Sequence, residues 1–297
     1  MQTKSILKHK GIILLSDRLN TVLIVEGGAM RSVFSAGLLD GFLKNNFNPF
    51  DYYIGVSAGA SNLAAFLAHD FGKSIHIYLN LATSSEFINF RQFFSGRHLL
   101  NLDWLCQAIF SQEYLSKNST SYTDKSLYVC TTTVATGTAV YTRLDNENIE
   151  PLLKASMALP FLYKGFPVVN GLQMTDGGIA ANLPVAEAIE RGAKRIMVVR
   201  SRHPDYVKKD SLGHQFIRWR LKRYPELVNT MQHRIQQHED TIRLINNPPH
   251  DVRIVDVYPP VTFKLGRFCQ NKHKLLDGYN TGFSAANAAI KQWKLPY

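Results

Sequence analysis

A serine at position 57 lies in the run Gly55-Val56-Ser57-Ala58-Gly59, a pattern typical of a nucleophilic serine. A hydroxyl that attacks a carbonyl carbon needs a sharp, exposed turn, and flanking glycines let the backbone turn without side-chain clashes. A helix that begins there would favour developing negative charge through its positive end. The pattern is short, so an ordinary glycine turn between a strand and a helix is the competing interpretation.

A glycine-containing loop, Glu26-Gly27-Gly28-Ala29-Met30-Arg31-Ser32, follows an apolar run earlier in the chain. Consecutive amides in such a loop can point at one place, as acyl transfer requires where the carbonyl oxygen becomes an oxyanion. One such donor contributes about 3–4 kcal/mol in the transition state. The loop lacks G-x-G-x-x-G and a Walker lysine, which argues against a nucleotide site. Arg31 could fix the loop, meet an anionic head group, or be an ordinary surface residue.

A base for the serine is the next requirement, because a serine hydroxyl is a poor nucleophile at neutral pH. Thr175-Asp176-Gly177-Gly178 ends a predicted strand, where sites gather in parallel sheets, although Asp-Gly-Gly is also a common turn. Only one or two strands precede Ser57, which argues against the α/β-hydrolase wiring of serine, acid and histidine. The base stays open on this reasoning. None of the ten histidines lies in a recognisable catalytic pattern, among them His69, His76, His98, His203 and His214.

Alternating strands and helices must position these residues. The periodicity predicts strands at 21–26, 52–56, 127–134, 139–143 and 195–200, and a tight hairpin at Asn170-Gly171. Helices are predicted at 32–44, 58–71, 148–158 and 184–191, and the aromatic-rich stretch 73–118 as short helices of a cap or lid. This alternation predicts an α/β fold with a mostly parallel central sheet and helices on both faces.

The chain after residue 200 has a different character. We predict a basic helix over 214–246 that Pro225 breaks, a strand over 251–258 and a final helix over 272–293. A soft domain boundary is therefore placed near residue 200.

Four blocks together resemble the patatin-like phospholipase family: the glycine loop, the Ser57 elbow, Ala155-Ser156-Met157-Ala158-Leu159-Pro160-Phe161, and Asp176-Gly177-Gly178. The resemblance implies a three-layer α/β/α patatin-like fold, with a catalytic domain over 21–200. Residues 201–297 would then be a helical and strand extension packed on that domain, as in the bacterial branch of the family.

The same resemblance implies a lipid acyl hydrolase of the phospholipase A or esterase type with a Ser-Asp dyad. Ser57 would attack the ester carbonyl, Asp176 would take its proton, and Gly27, Gly28, Ala29 and Arg31 would form the oxyanion hole. No cofactor and no metal is expected. Ala29 and Ser32 stand where the family has glycines, and a positive φ at either position would be strained.

The formal net charge of +11 favours anionic partners such as a membrane surface or a lipid. The segment 217–224 mixes aromatic, aliphatic and cationic residues, as a helix lying on an anionic bilayer does. Packing on the core is the alternative for this segment, and no nucleic-acid-binding signature is present. The residues expected to contact the membrane are Arg218, Trp219, Arg220, Lys222 and Arg223.

Three dispersed cysteines fit a reducing compartment, and the apolar run 11–15 is too short for a signal-peptide core. We therefore expect a cytoplasmic protein, with peripheral membrane contact as a further option. The alternatives to a lipid acyl hydrolase are a short-chain esterase or thioesterase with a histidine base, and a membrane-associated protein with weak or lost hydrolase activity.

Overall fold

The computed structural model describes residues 20–89, 91, 95, 98–112, 114–115, 121–206 and 221–296. Eight strands form one sheet in the order β5-β6-β3-β2-β1-β7-β8, and β4 pairs with β3. The strands are β1 (Thr21–Val25), β2 (Tyr52–Val56), β3 (Ser126–Thr133), β4 (Ala139–Arg143), β5 (Val168–Val169), β6 (Leu172–Asp176), β7 (Arg195–Val199) and β8 (Arg253–Val257). Strands β3, β2, β1, β7 and β8 run parallel, as predicted.

Three antiparallel pairings complete the sheet, and one of them determines where the site forms. Strand β4 pairs with β3 over 128–132, so it occupies one edge of β3, while β2 and β6 share the other edge. Val56 ends β2 opposite Cys130, and Asp176 ends β6 opposite Thr131, the next residue of β3. The carboxyl ends of β2 and β6 therefore meet head-on. The predicted hairpin between β5 and β6 is confirmed, with positive φ at both Asn170 and Gly171.

Helices cover both faces of the sheet, because alternate residues of the central strands point to opposite sides. Leu23 and Val25 of β1 belong to one buried cluster, whereas Val22 and Ile24 belong to another. The first cluster takes residues from α1 (Val33–Lys44), α2 (Ala58–Leu67), α3 (Leu102–Ser111), α4 (Ile149–Met157) and α7 (Lys272–Lys294), and the second from α5 (Val185–Glu190) and α6 (Pro225–Asn246). The three-layer α/β/α prediction is confirmed.

The stretch 73–118, predicted as short helices, contains the turns Lys73–His76 and Ile77–Leu81 as well as α3. Its apolar side chains join the main buried cluster, including Ile77, Tyr78, Phe87 and Leu105. Of the aromatic residues that suggested a cap, Phe90, Phe93 and Phe94 lie outside the described residues. The described part of this stretch forms a wall of the core.

The last hundred residues add to the same sheet and core. Strand β8 pairs with β7, and α7 packs against α1 at a close crossing. A Cβ atom added to Gly37 would lie 1.9 Å from the carbonyl oxygen of Tyr279, and one added to Gly282 would lie 1.9 Å from that of Phe34. Glycine at both positions is what allows the two backbones to approach. The boundary near residue 200 stays a prediction.

Residues 214–220 of the helix predicted over 214–246 lie outside the described residues. Pro225, which was expected to mark a break in that helix, begins α6 at the first helical turn. That is the place where a missing N–H costs nothing and the fixed φ of proline suits the helix. Of the segment expected to contact a membrane, Arg218, Trp219 and Arg220 lie outside the described residues, while Lys222 and Arg223 are exposed in the turn before α6. Within the described residues, no helix is long and apolar enough to span a bilayer.

Candidate active site

Ser57 occupies a strained turn between β2 and α2. Its φ of 53° and ψ of −128° lie outside the usual regions for a residue with a side chain, a strain of about 1–3 kcal/mol. A hydrogen bond of 2.8 Å from the Ser57 amide to Ser156 Oγ holds the turn, and Ser156 Oγ donates to the Cys130 carbonyl at 2.6 Å. A Cβ atom on Gly59 would lie 2.5 Å from the Val25 carbonyl oxygen, so glycine is needed there.

Asp176 meets this serine directly. Ser57 Oγ donates to Asp176 Oδ2 at 2.9 Å, and Asp176 Oδ1 accepts the Gly178 amide at 2.8 Å. The carboxyl group is 4% exposed, and burial raises its pKa to about 6 against the opposing effects of the Gly178 amide, Ser57 and Arg267. A carboxylate with this pKa is ionised at neutral pH and is still basic enough to take a proton.

The glycine loop after β1 faces the serine. Among the described residues, no partner accepts a hydrogen bond from the amides of Gly27, Gly28 or Ala29, and these residues line a cavity together with Ser57. The Arg31 amide is different, because it donates to the Gly28 carbonyl at 3.2 Å. Arg31 therefore has its guanidinium, rather than its amide, to offer to the cavity.

The two departures from the family's glycine pattern have different consequences. Ala29 has a φ of 51°, in the left-handed region that costs an L-residue roughly 1–2 kcal/mol. Ser32 has a φ of −68°, which any residue adopts. The strain expected for this loop is thus found at Ala29 and not at Ser32.

A buried glutamate fixes the base of the loop. Glu26, 4% exposed, accepts hydrogen bonds from the Asn182 side chain and from the Ser201 amide. The sequence singled out neither Ser201 nor the support that Ser156 gives to Ser57. The Glu26 contacts tie the end of β1 to the chain that follows β7.

Arg31 is buried rather than on the surface, which corrects one of its three interpretations. Its pKa is lowered to about 9, chiefly by burial and then by the positive charges of Arg202 and Arg267. Its Nε atom has no hydrogen-bond partner among the described residues.

Two cavities open at Ser57, and Ala29, Ser57 and Leu159 line both. The first, of about 150 Å³, has charged side chains in its lining, which includes Glu26, Arg31, Arg202, Arg234, His238 and Arg267. The second, of about 80 Å³, has no charged side chain among its described lining residues, which include Ile77, Tyr78, Phe87, Leu102, Leu105 and Ile109. We name them the arginine cavity and the apolar cavity.

Within the described part of the chain, His238 lines the arginine cavity, and no other histidine lines either cavity. His98 stacks on Tyr163, and His203 lies beside Asp205. His214 lies outside the described residues. The same part of the chain holds no group of three or more His, Cys, Asp or Glu side chains suited to a metal ion.

Comparison with known proteins agrees with this geometry. A family model described as patatin-like phospholipase matches residues 23–189, more than half of the chain. The chain therefore belongs to the patatin-like phospholipase family, which indicates a hydrolase that acts on lipids. A second model, described as a domain of unknown function (DUF6363), matches residues 224–295.

Two individual proteins are similar to this chain. The uncharacterized protein YjjU of Escherichia coli (strain K12) is 33% identical over 267 residues, which cover 83% of this chain and 75% of YjjU. The crystal structure of VipD from Legionella pneumophila matches 92% of this chain and 67% of its own, with 10% identity and a TM-score of 0.42.

Proposed function

We propose that this protein is a serine lipid acyl hydrolase of the phospholipase A or esterase type that cleaves carboxylic esters with a dyad of Ser57 and Asp176. The observation that carries the proposal is the 2.9 Å hydrogen bond between Ser57 Oγ and Asp176 Oδ2 at a strained strand-to-helix turn. Nucleophile and base lie within hydrogen-bond reach, as proton transfer during attack requires.

Acylation is the first half of the proposed reaction. Ser57 Oγ bonds to the ester carbonyl carbon while its proton passes to Asp176. The carbonyl oxygen becomes an oxyanion, for which the amides of Gly27, Gly28 and Ala29 are available donors. The carbon–oxygen bond to the leaving alcohol then breaks, the alcohol takes the proton from Asp176, and Ser57 is left acylated.

Deacylation reuses the same groups in reverse order. Asp176 takes a proton from a water molecule while the water oxygen bonds to the acyl carbon. The resulting intermediate expels Ser57 Oγ, which recovers the proton from Asp176, and the carboxylic acid leaves. Asp176 is ionised at the start of each half, which its pKa of about 6 allows at neutral pH.

The apolar cavity supports a lipid as the substrate. Its described walls consist mainly of aliphatic and aromatic side chains, and it reaches Ser57 itself. Each methylene buried in such a cavity contributes about 0.8 kcal/mol. A fatty acyl chain held there would place its carbonyl carbon at the serine.

The test is covalent labelling by a fluorophosphonate probe, which reacts with an activated serine. We expect the wild type to be labelled and Ser57→Ala to be silent. Ser61→Ala is the matched control, because Ser61 lies one helical turn away and lines the apolar cavity. Equal labelling of Ser57→Ala and the wild type would contradict the proposal.

A histidine-based short-chain esterase or thioesterase is the second candidate, because His238 lines the arginine cavity. It predicts that Asp176→Asn retains hydrolysis of p-nitrophenyl acetate and that His238→Ala loses it. The Ser-Asp proposal predicts the reverse pair of results.

A further inference from the structure

The arginine cavity holds more positive than negative charge. Among the described residues, five arginines line it, whereas two carboxylates, Glu26 and Asp176, face it. Arg200 forms an ion pair of 3.1 Å with Asp256, which is not one of these two carboxylates. The Glu26 oxygens already accept hydrogen bonds from Asn182 and Ser201. The other arginines of the cavity are Arg31, Arg202 and Arg267, and Arg234 on α6.

Arg31 is the residue that makes this cavity a site rather than a charged surface. It is 5% exposed, it lines the cavity, and its Nε has no partner in the described part of the chain. A buried cation with an unmet donor is costly unless an anion accompanies it. An anionic group in the cavity would offset the positive charge of Arg31.

The backbone holds two further arginines around Arg31. The Met30 amide donates to the Arg267 carbonyl at 3.3 Å, which ties Arg267 to the glycine loop. Arg202 follows Ser201, whose amide is bound by Glu26, and its guanidinium lies 3.6 Å from the centre of the Tyr206 ring. Arg202 and Arg267 both lower the pKa of Arg31, as cations close to it must.

We propose that Arg31, Arg202 and Arg267 form an anion subsite that binds the phosphate of an anionic phospholipid while the acyl chain occupies the apolar cavity. Guanidinium groups match phosphate oxygens in charge and in hydrogen-bond geometry. A zwitterionic head group would bring an ammonium group toward the same arginines, so anionic lipids are preferred. This inference rests on the proposed function, because the subsite selects among substrates of the Ser57 reaction.

The test compares dihexanoylphosphatidylglycerol with dihexanoylphosphatidylcholine, both kept monomeric so that attraction to a charged membrane surface plays no part. We expect the wild type to prefer the anionic lipid in kcat/KM. Arg202→Gln and Arg267→Gln should each lower kcat/KM for the anionic lipid by about tenfold, the effect of one hydrogen bond to a charged group, and should reduce its preference over phosphatidylcholine. Arg243→Gln is the matched control, because this exposed arginine pairs with Asp240 on α6 and lines neither cavity.

A phosphate-free ester, p-nitrophenyl butyrate, separates this inference from the proposed function. If the wild type hydrolyses no ester at all, the proposed function is wrong. If it hydrolyses the butyrate but shows equal kcat/KM for the two lipids, or if the two variants keep the wild-type preference, the anion subsite is overturned. Inhibition by inorganic phosphate without any preference between the lipids would indicate a site for free phosphate and would also overturn it.

Discussion

The two cavities beside Ser57 differ in the chemistry of their walls and in the part of the chain that builds them. The described walls of the apolar cavity come from residues 29–159, within the family match. Much of the arginine cavity comes from residues after 176, including Arg202, His238 and Arg267. On the proposed function, the family match would carry the reaction and the acyl chain, while Arg202 and Arg267 from the later part of the chain would join Arg31 at the head group. The proposed extension over 201–297 would then determine selectivity rather than chemistry.

The two cavities differ because different elements line them on the two sides of the Ser57 turn. On one side, α2, α3 and the turns near Ile77 pack into the main buried cluster and leave a gap between apolar side chains. On the other side, the loops after β1 and β7 carry arginines, and α6 faces them with Arg234 and His238. A substrate with one apolar and one anionic end would lie across Ser57.

Filling the apolar cavity should have the largest effect, and this effect should depend on the length of the acyl chain. Ala82 is buried in its wall, and Ala82→Phe would occupy space needed for about four methylenes of an acyl chain. At about 0.8 kcal/mol each, kcat/KM for octanoyl esters should fall by about 200-fold. Acetyl esters are the internal control and should be hydrolysed as before. An equal loss for both chain lengths would argue against this cavity as the acyl site.

The pH dependence of kcat/KM should shift when the arginine cavity is changed and should stay in place when the apolar cavity is changed. Asp176 accepts a proton only when ionised, so with a pKa of about 6 the value of kcat/KM falls about tenfold per pH unit below 6. The positive charge of Arg267 lowers the pKa of Asp176. Arg267→Gln should therefore move this acid limb to higher pH, whereas Ala82→Phe should leave it in place. Steady-state pH profiles of the wild type and of the two variants measure this effect. A shift of the acid limb in Ala82→Phe would contradict the distinction between the two cavities.

The smallest effect concerns Ala29, which lines both cavities. Ala29→Gly removes a left-handed alanine and should raise the free energy of unfolding by about 1 kcal/mol. Ala285→Gly in the interior of α7 is the control of opposite sign and should lower it by about 1 kcal/mol. Urea denaturation measures both. Destabilisation by Ala29→Gly would mean that the loop is not strained at this position.

Local patterns in the sequence were enough for most of the elements and to single out Ser57 and Asp176 as candidates, whereas their pairing was an expectation from the family resemblance. Glycine spacing singled out Ser57, and strand periodicity placed Asp176 at a strand end. Their contact depends on β2 and β6 meeting on one edge of β3, which no local pattern carries. The strain at Ala29 followed from the family's glycine pattern, whereas the ordinary φ of Ser32 is set by the helix that begins after it.

The anion subsite could not be predicted from the sequence. Arg31, Arg202 and Arg267 are far apart in the chain, and a positive net charge does not say where arginines gather. The sequence left three interpretations of Arg31 open, because the pattern of one arginine after glycines does not show whether its side chain is buried. The supporting residues Ser156 and Ser201 act through hydrogen bonds between distant segments.

The most direct test of the account compares two buried aspartates in one assay. Asp176 bonds to Ser57, whereas Asp40, equally buried, accepts hydrogen bonds from Tyr279 and the Gly72 amide outside both cavities. We expect Asp176→Asn to lower kcat/KM for dihexanoylphosphatidylglycerol by about a thousandfold and Asp40→Asn to leave it unchanged in the folded protein. Wild-type activity in Asp176→Asn would contradict the central claim.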